Sequence, residues 1–94
     1  MLAKVNSVGK NSVNVTELDI DDFGSVIPLK NVDLVLPSND DSISLTLKAS
    51  PYAAVFTQDG KDEQGSMIIL ARGMSLEDLN KEKEHTIDKV HKRK

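Results

Sequence analysis

Apolar side chains recur at every second position through the first three quarters of this chain, and the rhythm then changes. Ile43, Leu45 and Leu47 alternate with Ser44, Thr46 and Lys48, which predicts a strand with its aliphatics on one face. Val32, Leu34 and Leu36 repeat the pattern, and the turn-forming run from Pro37 to Asp41 predicts that these two strands pair antiparallel. Near the start, Ala3 to Ser7 and Ser12 to Leu18 flank Val8-Gly9-Lys10-Asn11, a hairpin in which Gly9 and Asn11 can both accept positive φ. Val13 and Val15 are its inward pair. Ser25 to Lys30 is a weaker strand, because Pro28 cannot donate to a ladder and so belongs on an edge or at a bend.

Tyr52 to Thr57 precedes a polar stretch, Gln58 to Gly65, and the chain then enters Ser66 to Arg72. Met67, Ile68, Ile69 and Leu70 are apolar on both faces, which predicts the most buried strand, a short helix being the competing reading; Phe56 is assigned to the core. After Gly73 the period becomes helical. Ser75 stands as an N-cap ahead of Glu77 and Asp78, whose charges suit the positive end of a helix dipole. The apolar positions of that helix are Leu76, Leu79, Ile87 and Val90, with Lys83 interrupting the stripe, so it can dock by its first turn and its last and otherwise waits for a partner.

These elements amount to a mainly β protein: a small antiparallel β-barrel or sandwich of six to seven strands with one C-terminal α-helix. Residues 1–74 form the β-rich core domain and residues 75–94 a charged helix or tail. Composition supports the division. The chain is 94 residues with 38% apolar content, yet only 4 apolar residues fall in 75–94. A second core has no material to form from.

Charge and chemistry narrow the functional classes. The formal charge of −3 makes the whole molecule no attractor for phosphate or anionic lipid. Cysteine is absent, which removes disulfides, thiolate nucleophiles and sulfur-ligated zinc. The longest apolar run is Met67 to Ala71, so neither a signal peptide nor a membrane span is expected, and the chain reads as soluble, in the cytoplasm or in a particle assembled there. Acids cluster at Asp19 to Asp22, at Asp40 and Asp41, and at Asp59 to Glu63. A calcium loop begun at Asp19 would place Phe23 and Lys30 where oxygen ligands are needed, so these clusters read as solvated turns. His85 and His91 are six residues apart, on different sides of a helix, and neither forms a ligand pair nor serves a serine nucleophile. The five glycines are dispersed and build no phosphate cradle. No cofactor and no metal is expected.

What remains is a non-enzymatic protein-binding or assembly module, an accessory or structural subunit of a larger complex. Its candidate contacts are Ile20 and Phe23, presented among acids, and Leu79, Ile87 and Val90 on the helix, which would be buried only on another surface. The alternative is a nucleic-acid-associated β-barrel acting through the basic end, Lys92, Arg93 and Lys94, whose plainer role is to complement the helix dipole. Third is an enzyme with a carboxylate site that no spacing singles out.

Overall fold

The first hairpin forms as the alternation requires, with β1 (Leu2–Val8) antiparallel to β2 (Ser12–Ile20) in a computed structural model that describes residues 1–39 and 41–83. Its turn departs from expectation: neither Gly9 nor Asn11 has positive φ, and the Gly9 N–H donates to the Ser12 carbonyl at 2.8 Å. A bulge between Val5 and Ser7 turns two residues three apart, Val5 and Val8, toward the same core.

The chain continues into β3 (Val26–Val35), then α1 (Asp41–Ala49), β4 (Tyr52–Thr57), β5 (Ile68–Met74) and a second helix, α2 (residues 76–83). The five strands make one antiparallel sheet in the order β3-β2-β1-β4-β5. It curls until Val35 of β3 bridges Met67 beside β5, but it does not close into a barrel. The expected barrel or sandwich of six to seven strands with a single C-terminal helix is therefore corrected to five strands and two helices. Two expected strands, Ser25 to Lys30 and Val32 to Leu36, are one. Pro28 is accommodated because β3 is an edge, with a bulge beside it where Leu29 is skipped between Glu17–Lys30 and Leu18–Pro28.

The largest correction is at Ile43 to Leu47. The segment is helical, because Ile43 and Leu47 are also i and i+4, and a helix brings them onto one face. Ile43 and Leu47 are buried at 5% and 0% exposure, while Leu45, which a strand would have turned inward with them, is 63% exposed. α1 packs over β1 and β5. It lies so close to β5 that a Cβ on Gly73 would stand 2.1 Å from Ser50 Oγ. Beneath it, Val13, Val15, Val32, Leu34, Val55 and Ile68 are almost fully buried. Each such side chain contributes about 1.5–3 kcal/mol relative to exposure.

α2 starts as the sequence predicts. Ser75 and Asp78 form a reciprocal capping box: the Ser75 N–H donates to Asp78 Oδ2 at 3.1 Å, and the Asp78 N–H donates to Ser75 Oγ at 3.2 Å. Among the described residues, no helix is long and apolar enough to cross a membrane.

Candidate interaction surface

Strand lengths decide where the sheet ends and where a two-stranded arm begins. The β1–β2 ladder stops at Leu2 opposite Leu18, whereas β2 and β3 remain paired as far as Ile20 opposite Val26. The residues between Asp19 and Ile27 thus project as a hairpin without a third strand. Its loop is fixed by Asp21, whose Oδ1 accepts from the Phe23 N–H at 2.9 Å and the Ser25 N–H at 2.8 Å. Backbone bonds from Asp21 N–H to the Ser25 carbonyl and from Gly24 N–H to the Asp21 carbonyl, both 3.0 Å, close the turn, with Gly24 at φ 79. Phe23 is therefore held outward on a defined backbone and is 86% exposed. Ile20 lies not in the loop but at the end of β2, half-buried, and Leu29 at the β3 bulge is 53% exposed.

The other candidates divide. Leu79 is 3% exposed, so its side chain is covered by this chain rather than left for another surface. α2 docks by its first turns, since Asp78, Lys81 and Glu82 line a depression together with Ala54, Arg72 and Met74 of the sheet. Leu76 remains 58% exposed. Ile87 and Val90, and the basic Lys92, Arg93 and Lys94, lie outside the described residues.

A second apolar surface was not anticipated. β5 is an edge strand and not the most buried one: only Ile68 and Met74 are buried, while Ile69 and Leu70 are each 57% exposed and Met67 39%. A bulge at Ile69 turns both Ile68 and Ala71 inward and sends Leu70 to the outer face, opposite Phe56. Phe56, expected in the core, is 50% exposed there. Phe56, Leu70 and Arg72 line a groove of about 530 Å³ with Thr46, Ala54, Ala71 and Gly73. The signal in the sequence was the unbroken run Met67 to Leu70: a strand apolar on both faces is buried on both only if both faces are covered.

The outer face is polar over Asn6, Asn14, Thr16, Asn31 and Asp33, and gives way to Leu2 and the buried Leu18 toward the arm. Asn6 Nδ2 donates to Asn14 Oδ1 at 3.0 Å and Thr16 Oγ1 at 2.9 Å, and Asn14 Nδ2 donates to Asn31 Oδ1 at 2.6 Å and Asp33 Oδ1 at 2.8 Å. Asn14, with Gln64 from the β4–β5 loop, holds the Asp33 carboxyl below the usual aspartate range. These amides bond to one another and brace the strands. The acids serve turns in the same way: the Lys61 N–H bonds Asp59 Oδ1 at 3.1 Å and draws the Asp59 carboxyl below its ordinary value. Among the described residues, no three His, Cys, Asp or Glu side chains converge to hold a metal.

No family model, curated protein or solved structure matches this chain.

Proposed function

We propose that the chain is a non-enzymatic protein-binding or assembly module, an accessory or structural subunit of a larger complex in the cytoplasm or in a particle assembled there. The observation that carries this reading is Phe23, 86% exposed at the tip of a hairpin whose loop is braced by two hydrogen bonds to Asp21. An aromatic ring held in water on a preorganised backbone loses little conformational freedom on docking and gains a large apolar contact. The apolar edge of β5 supports the same reading, because an edge strand without proline or lysine can pair with an incoming strand. Affinity capture from the cells that express the protein, read by mass spectrometry, is the test. The wild-type chain is expected to retain a protein that Phe23→Ser loses; identical recovery with both overturns the assignment to the hairpin tip.

A second reading, association with single-stranded nucleic acid, draws on one observation. Phe56 is half exposed on an outer sheet face that also carries Tyr52, Lys4 and Arg72, a surface on which a base could stack beside a phosphate-binding cation. Titration with single- and double-stranded oligonucleotides at low and high salt decides it. Absence of binding at low salt removes the reading, and binding that survives loss of Lys92, Arg93 and Lys94 removes the basic end as its mechanism.

A further inference from the structure

The hairpin tip carries an exposed aromatic ring beside acids, and the β5 groove is lined mostly by apolar and small residues with one cation, Arg72. We propose that the chain assembles head to tail, with Phe23 of one copy seated in the groove between Phe56, Leu70 and Arg72 of the next. The proposal rests on the protein-binding reading above and names its partner, a second copy of this chain.

The groove is lined by apolar side chains and small residues, and its one charged group is Arg72. On its other side Arg72 borders the depression lined by Asp78, Lys81 and Glu82 of α2. The arm is the groove's counterpart: from Asp19 to Leu29 it carries Asp19, Asp21 and Asp22 and no basic residue, with Asp22 adjoining Phe23. Asp21 is engaged in holding the loop, and Asp19 Oδ1 accepts from the Ile20 N–H at 2.9 Å, whereas Asp22 is exposed beside the ring. An aspartate next to the aromatic anchor places a carboxylate where Arg72 can meet it as the ring enters the groove. That pairing selects this end of the arm over any other apolar group on the surface.

Exposure makes the contact intermolecular: Phe23 is 86% exposed and is not among the residues that line the groove of its own chain. Each copy thus has one projection and one socket. A contact between two different patches is heterologous, so it propagates into a ring or an open chain instead of stopping at a two-fold dimer. The alternative of pairing through β3 is blunted by Pro28 and the bulge at Leu29. The contact is small: one aromatic side chain and its neighbours bury far less than the roughly 1,200–2,000 Å² of stable interfaces, so association rises with concentration and is weak in dilute solution.

Sedimentation velocity of the full chain, from low micromolar to near-millimolar concentration, tests the proposal. The wild type is expected to sediment faster as concentration rises. Phe23→Ser and Leu70→Ser, both changes of exposed side chains, are each expected to weaken association roughly tenfold or more while leaving circular dichroism and melting unchanged. An equimolar mixture of the two variants still has one intact projection and one intact socket, so it should form a heterodimer and nothing larger. Arg72→Glu should weaken association, and Asp22→Lys added to the same chain should restore it. A wild type that stays monomeric throughout overturns the proposal, as does an oligomer indifferent to Phe23→Ser or a variant mixture that does not pair. If the wild type is monomeric yet affinity capture retains a Phe23-dependent protein, this inference fails and the protein-binding reading stands; if both fail, both fall.

Discussion

At the residue scale, single groups fix geometry that neighbouring atoms then depend on. Gly73 has no side chain because Ser50 at the end of α1 occupies the space: a Cβ would sit 2.1 Å from Ser50 Oγ and 3.0 Å from Ser50 Cβ. Gly73→Ala is expected to destabilise the chain by about 1–3 kcal/mol, as overpacking does, and Ser50→Gly in the same chain should recover most of that loss; urea melts of the single and double variants check it. Asp78 acts at the same scale. Its carboxyl titrates below the ordinary aspartate value of 3.8 because the Ser75 N–H and then the Ser75 hydroxyl bond its ionised form, with Lys81 adding attraction. A depressed folded-state value means that the capping contribution is fully present above the ordinary value and disappears as pH falls through the lowered one. NMR titration should place the Asp78 midpoint below 3.8, with the protection of α2 amides relative to their intrinsic exchange rates falling through that acid range, and Asp78→Ala should show the lower protection at neutral pH already.

At the scale of elements, α1 is the informative case. Ile43 and Leu47 satisfy period two and the i, i+4 spacing equally, so periodicity over so short a run cannot separate strand from helix. Leu45 separates them, because only the strand turns it inward. Leu47→Ala is expected to cost about 2–5 kcal/mol, whereas Leu45→Ala should stay within about 0.5 kcal/mol of wild type, both read from denaturant midpoints. If the two changes cost the same, the segment is not a helix packed by one face. The three bulges teach a related lesson. Those in β1 and β5 each insert one residue and let apolar groups three apart, Val5 and Val8 or Ile68 and Ala71, face the same side. Strict alternation would have sent one member of each pair outward. Capping, by contrast, is local: Ser75 and Asp78 were identifiable because both partners lie within one turn.

At the scale of the molecule, the sheet divides water unequally between its faces. One face is covered by α1 and contains nearly all of the fully buried side chains. The other is braced by amides over β1 to β3, touched by α2 near Met74, and left apolar at Phe56 and Leu70. An exposed apolar edge strand is also an aggregation hazard. Ile69→Lys, at a side chain 57% exposed and already outside the core, is expected to raise the concentration at which the protein stays in solution while shifting the unfolding midpoint little; light scattering and thermal melts check both halves. A large loss of stability in that variant would mean that Ile69 is not the solvent-facing residue of the bulge.

The sequence alone determined what is local. The first hairpin, the edge placement of Pro28, the capped start of α2 and the acidic loop around Phe23 all follow from residues within a few positions of one another, where turn chemistry and capping act without help from the rest of the chain. Only the tertiary structure decided which faces are covered. Whether Phe23 folds back or stands out, whether Leu79 waits for a partner or is already buried, and whether Phe56 and Leu70 belong to the core depend on what packs across the sheet from tens of residues away. Burial is a property of a pair of surfaces, and a sequence read along its length records only one of them.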